Sequence, residues 1–224
     1  MMKKPVIGSG SIWFTADLHL GHKNIVRGCS EWTNTKECRN FDTLAEHDNE
    51  IIGNINKYVK EEDILYIIGD FSMGGRENVK KYRNLINCKT IHLIEGNHDT
   101  FIIKNAQFAD GTFAHDLFTS VNNLLIKKIG KTNFVMCHYA FRSWPNGSRG
   151  CIMLHGHNHD NLPPYEKLMQ IADDPYLVKT DEFYKTQDCG IEVALRLFGE
   201  MRPFSMEEIK NIMETRINLD VDYH

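Results

Sequence analysis

Short apolar runs separated by polar turns dominate the pattern along the chain. Residues 11–16 (SIWFTA), 64–68 (ILYII), 90–94 (TIHLI), 133–137 (NFVMC) and 151–154 (CIML) are rich in β-branched and aromatic side chains. Runs of this length and composition read as buried strands. Residues 121–126 and 132–137 flank a polar stretch containing Gly130 and predict a hairpin. Other segments follow a helical period. Residues 43–58 carry Leu44, His47, Ile51, Ile55 and Tyr58 along one face, and residues 77–86 give a shorter helix. Ser205-Met206-Glu207-Glu208 has the form of a capping box, and Ile209, Ile212 and Met213 follow on one helical face. A last strand is expected near residues 189–195. Strands alternating with helices, then hairpins, predict an α/β fold with antiparallel portions.

Residues 161–186 break this pattern. They hold Pro163, Pro164, Pro175 and the pair Asp173-Asp174, with periodicity for only a short helix over residues 165–171. They read as an excursion that leaves directly from His159, so they are expected at the mouth of any site built there, where they would shape substrate choice. Irregular stretches of this length are usually functional or mobile. The 224 residues suit one domain, spanning residues 1–224 with this excursion inside it.

The chemistry lies where the strands end. The first run enters Asp17-Leu18-His19, the second Gly69-Asp70, and the third Gly96-Asn97-His98-Asp99. The fourth enters His138, and the fifth enters Gly156-His157-Asn158-His159. Any one of these is an ordinary turn. Five together, each at a strand end, put carboxylate, imidazole and amide groups into one crevice, where open α/β sheets bind ligands.

In this order the elements resemble those of the calcineurin-like metallophosphoesterases, whose pattern runs DxH, GD, GNH[DE], H, GHxH. The resemblance covers roughly residues 11–159. It implies a two-layered β-sheet sandwich flanked by helices. It implies that Asp17, His19 and His159 hold one divalent metal ion, that Asn97, His138 and His157 hold a second, and that Asp70 bridges both. His98 would donate to the leaving group, with Asp99 orienting its imidazole. This mixed nitrogen and oxygen set suits transition metals, manganese first and iron or zinc as alternatives, rather than the nearly all-oxygen shells of magnesium and calcium. Two ions so held would let a bridging hydroxide attack phosphorus in line. Two divalent ions against two carboxylates and one hydroxide leave the site one positive charge.

Four further residues are candidate substrate contacts. His22 and Asn24 follow the first loop, and Arg142 and Arg149 bracket a loop after His138, where arginine could match phosphate geometry. His155 is a candidate support for the ligands, and His92 reads as packing.

Composition narrows the class. A hydrophobic share of 42% and a charged share of 25% are those of a globular protein. A net charge of −4 argues against general electrostatic capture of nucleic acid, leaving it possible only as a substrate. No apolar run approaches the roughly 18 residues of a membrane span. Six cysteines without CxxC spacing read as reduced thiols, and the expected location is the cytoplasm. The expected function is phosphomono- or phosphodiester hydrolysis on a small-molecule or nucleotide substrate. A nuclease and a non-catalytic binding protein on the same scaffold are the alternatives. Oligomeric state is not legible.

Overall fold

Alternation along the strands sorts side chains onto opposite faces, and two sheets result. A computed structural model of the protein describes residues 10–36, 38–161 and 184–219. The first sheet contains β1 (Ile12–Thr15), β2 (Ile64–Ile68), β3 (Thr90–Ile94), β4 (Ser120–Asn122) and β9 (Phe204–Ser205). Its order is β4-β3-β2-β1-β9, parallel except for the antiparallel β9. The second contains β5 (Leu124–Ile129), β6 (Thr132–Cys137), β7 (Ile152–His155) and β8 (Thr186–Asp188), in that order. Its β5–β6 pair is an antiparallel hairpin and the other two pairs are parallel.

Among the described residues, five α-helices accompany the sheets: α1 (Leu44–Tyr58), α2 (Arg76–Leu85), α3 (Thr100–Ile103), α4 (Ile191–Phe198) and α5 (Met206–Glu214). Thr43 starts α1 with a capping box closed by Glu46, and Ser205 starts α5 with one closed by Glu208. Each box satisfies backbone N–H groups that the first helical turn leaves without partners.

The core follows the period of two. Trp13, Leu65, Ile67, Ile91 and Leu93 join Ile51 and Ile55 of α1 and Val79 and Tyr82 of α2. Their strand neighbours Phe14, Tyr66, Ile68 and Ile94 meet Phe134, Met136, Ile152 and Leu154 of the second sheet. Phe14 bridges the layers, its ring centroid 5.4 Å from Tyr66 and 5.5 Å from Phe134. The alternate residues of the second sheet, Val135, Cys137 and Met153, pack with Trp144 and Leu219 on its far side. The fold is therefore α/β, a two-layered sandwich flanked by helices.

Two expected elements differ. Residues 121–126 are not one strand. Ser120–Asn122 pairs with β3 in the first sheet, and Leu124–Ile129 pairs with β6 in the second, so the chain changes sheets at Asn123. The hairpin expected with residues 132–137 forms from Leu124 onward, whereas Ser120–Asn122 takes its partner from β3, a strand the hairpin signal does not name. Residues 189–195 are not a strand either. The strand ends at Asp188 and α4 begins at Ile191, burying Ile191, Val193 and Ala194 while Leu195 faces outward. Burial of that helical face overrides the β-propensity of isoleucine and valine. The greater part of the expected excursion, including the helix over residues 165–171, lies outside the described residues.

Phe134→Ala should open a cavity between the sheets and cost about 3–5 kcal/mol. The urea midpoint should fall with an unchanged m-value. Lys128→Ala on the hairpin should stay within about 0.5 kcal/mol.

Candidate metal centre

The strand-end loops of both sheets converge. The ligand atoms of Asp17, His19 and His159 lie within 4.8 Å of one another, and so do those of Asp70, His138 and His157. Asp70 stands between the two groups. Its Oδ2 is 3.5 Å from His19 Nε2 and 3.4 Å from His138 Nε2. Asn97 joins the second group, its Oδ1 3.0 Å from His138 Nε2.

Local backbone conformation aims these side chains. Asp17, His19, Asp70, His157 and His159 all have positive φ, between 50° and 73°. Such conformations cost about 1–3 kcal/mol each for residues other than glycine and persist where surrounding structure enforces them. They are five of the eight non-glycine residues with positive φ among those described. Two glycines permit the close approach. A Cβ at Gly156 would lie 2.6 Å from both the Ala16 Cβ and Asp17 Oδ2. One at Gly96 would lie 2.3 Å from the nitrogen and Oδ1 of Asp70. These positions explain why glycine precedes both Asn97 and His157.

The ring hydrogen bonds fit a cation. His138 donates from Nδ1 to the Ile68 carbonyl at 3.0 Å, which turns its Nε2 toward the oxygens of Asn97 and Asp70. His159 donates from Nδ1 to Glu192 Oε1 at 2.9 Å, and its Nε2 faces His19 Nε2 at 3.0 Å. Nitrogens and oxygens gathered this closely form a donor set that a cation would complete. Burial, then the carboxylates of Asp188 and Glu192, push the Asp17 carboxyl well above its ordinary range. A divalent ion would reverse that cost. The donor set therefore suits divalent metal ions.

The other expected residues divide. His22 lines a cavity of about 440 Å³ beside His19, His98, His157 and His159. Burial, then His98 and Arg39, hold its imidazole down at about 4. The His98 ring is exposed in this cavity, 5.3 Å from the His19 ring, and its backbone N–H donates to Asp70 Oδ1 at 2.9 Å. Asp99 does not orient the His98 ring as expected. Its buried carboxylate accepts backbone N–H from Asp70, Phe71 and Gly96 at 2.9, 2.8 and 2.9 Å. Burial nonetheless pushes it up to about 7. Asp99 thus ties the second loop to the third. Asn24 does not line the cavity either; its Oδ1 accepts from the Glu31 N–H at 3.0 Å and closes a loop. Arg142 and Arg149 are exposed and lie outside the cavity lining. His155 is buried at the end of β7, beneath Gly156. His92 stacks on Tyr66, as packing.

Two residues escaped the sequence reading. Glu192 Oε1 accepts from His159 and also from Arg39 Nε and Nη2, at 2.9 and 2.7 Å. Burial alone would raise the Glu192 carboxyl, but Arg39 and His159 hold it at about 2. Arg39 also donates to the carbonyls of Asp17 and Leu18, at 2.6 and 2.8 Å. Its Nη1 donates to His47 Nε2 at 2.8 Å, and His47 donates on to Asp48 Oδ1 at 2.9 Å. Glu192 follows a sixth strand end, the one signal that could have revealed it. Arg39 lies in irregular chain and carries no such signal.

The pattern of Calcineurin-like phosphoesterase matches residues 10–198, and the chain belongs to that family. The family implies divalent metal ions, and the two groups above are the candidates to hold them. Among relatives, the Gene 66 protein of Mycobacterium phage D29 is 26% identical over 173 residues, covering 68% of this chain and 80% of the phage protein. Uncharacterized protein MJ1445 of Methanocaldococcus jannaschii is 27% identical over 152 residues, covering 67% of this chain and 70% of its own. The solved structure of AQ665, a protein of unknown function from Aquifex aeolicus, aligns with a TM-score of 0.57 at 19% identity, over 91% of this chain and 99% of that one. At that identity the likeness concerns the fold alone.

Glu192→Ala should release the His159 ring. Loss of a carboxylate behind a metal-binding histidine costs about 10- to 100-fold in metal affinity. Calorimetric titration of the metal-free protein should show one binding step weakened by that amount and the other preserved, with an unchanged circular dichroism spectrum.

Proposed function

We propose that the protein is a hydrolase of phosphate esters that works with two divalent transition-metal ions. Asp17, His19 and His159 hold one ion, Asn97, His138 and His157 hold the other, and Asp70 serves both. The observation that carries this reading is the position of Asp70 Oδ2, 3.5 Å from a nitrogen of the first group and 3.4 Å from one of the second. Manganese is the first choice of metal, with iron or zinc as alternatives. Bound divalent ions supply a water-derived nucleophile near neutral pH and positive charge for the phosphate oxygens.

The protein's own groups do the rest. His19 and His138 present Nε2 as neutral donors, the latter fixed in tautomer by the Ile68 carbonyl. The Asp70 carboxylate is oriented by the His98 amide. The same amide anchors His98, so its exposed imidazole stays over the cavity, where it can give a proton to the leaving oxygen. His22 lies beside it, ring centroids 6.0 Å apart. Its lowered affinity for protons favours the neutral ring, able to hydrogen-bond a phosphate oxygen through an N–H. The substrate is a phosphomonoester or phosphodiester of small size, a nucleotide included.

Two variants test the assignments. Asp70→Asn should lose more bound metal and more activity than His19→Ala or His138→Ala at matched metal concentration, measured by elemental analysis and hydrolysis of the same samples. Equal or milder loss in Asp70→Asn would remove the shared-ligand role. His98→Ala should keep its metal and lose about 10²- to 10⁴-fold in kcat on esters with poor leaving groups. Nitrophenyl esters, which need less protonation, should suffer less. Loss of a metal equivalent in that variant would withdraw the acid role.

A further inference from the structure

The cavity at the candidate centre extends beyond the groups that handle phosphate. Its lining also includes Ile25, Trp32 and Lys36, together with Asn158 and Asn161. Trp32 is 48% exposed, in contrast to Trp13 at 0% and Trp144 at 4%. Its ring meets His22 edge-on, centroids 5.7 Å apart at 84°. His22 in turn lies 5.3 Å from the metal-group residue His19 and 6.0 Å from His98. An indole left half in water, two aromatic rings from the reacting centre, is a surface on which a flat ring can stack. Lys36 is exposed on the same wall and has no carboxylate partner among the described residues, whereas nearby Lys23 is paired with Glu31. A volume of about 440 Å³ is in the range of clefts that enclose one small ligand.

We propose that Trp32, with Ile25 and Lys36 lining the same cavity, forms a base subsite, and that the ester hydrolysed here is a mononucleotide. The inference rests on the phosphoesterase reading above and specifies its substrate. The phosphate meets the histidine-rich end of the cavity. The base lies against the indole, and Lys36 adds attraction for the anion. An aliphatic phosphate would leave the Trp32 wall unused. A nucleic-acid strand offers the same base and phosphate, so the test separates the two.

The experiment compares nucleoside monophosphates with the matching ribose phosphates, which share the reacting group and differ only by the base. In the wild-type protein kcat/KM should favour the nucleotide. Trp32→Ala should lower kcat/KM for the nucleotide by about tenfold, the order expected for one stacked base, and lower it far less for the ribose phosphate. Trp32→Phe should restore most of the loss. In parallel, nonhydrolysable phosphonate analogues are titrated onto zinc-loaded protein while tryptophan fluorescence is followed. Trp32 is the exposed indole of the three, so the nucleotide analogue should quench it and the ribose analogue should not. Base-dependent quenching without hydrolysis of either ester, of cyclic nucleotides or of nitrophenyl mono- and diesters would keep the subsite and overturn the phosphoesterase reading. Hydrolysis of ribose phosphates with no preference for the base would keep that reading and overturn the subsite. Equal losses on both esters in Trp32→Ala would also overturn it. Tighter binding of a trinucleotide than of the mononucleotide would overturn the mononucleotide assignment.

Discussion

The carboxylate of Asp17 accepts from the His157 amide with both oxygens, at 3.0 Å each, and the carboxylate of Asp70 accepts from the His98 amide at 2.9 Å. Asp99 returns the bond, taking the amides of Asp70 and Phe71. Loops from strands distant in sequence are thereby locked to one another through charge-assisted bonds to backbone N–H groups, each worth about 1.5–3 kcal/mol. These bonds hold together two buried carboxylates and several imidazole rings within a few ångströms of one another. They also enforce the positive φ values of the loop residues. Without them the strained turns would relax and the side chains would no longer converge.

The interlocking requires the strand ends to be level, which is the work of the two-sheet core. Parallel pairing of β1, β2 and β3, and of β6, β7 and β8, brings their carboxyl ends to the same side. Alternation along each strand then sends one set of side chains to the helices and the other to the facing sheet. The candidate ligands follow the strand ends directly or after a short turn: Asp17 after Thr15, Asp70 after Ile68, Asn97 after Ile94, His138 after Cys137 and His157 after His155. Gly156 and Gly96 remove the side chains that would hold the loops apart.

Behind the first metal group lies a second polar system. A chain of hydrogen bonds runs from His159 through Glu192, Arg39 and His47 to Asp48, which also accepts from the Tyr82 hydroxyl at 2.6 Å. Four elements, the loop before α1, α1 itself, α2 and α4, thus bear on one histidine. Buried charge of this kind contributes little net stability, but it fixes ring orientation and tautomer, which a metal ligand requires.

The sequence by itself determined the class of fold, the capped helices and the polar residues at five strand ends. Those depend on period, capping and short motifs, all local in the chain. Gly-Asn-His-Asp and Gly-His-Asn-His carried their own geometry because glycine marks a close approach of backbone. What the tertiary structure alone decided were relations between distant segments. The sheet change at Asn123 depends on which strand offers a partner. The helix over Ile191–Phe198 depends on the core its apolar face finds. Asp99 looked like a partner for its neighbour His98 and instead serves the amides of another loop. Arg39 and Glu192, separated by 153 positions, meet because the fold brings them together. Pairings of that kind leave no periodic trace in the sequence, since a hydrogen bond between distant segments constrains two residues and not the spacing between them.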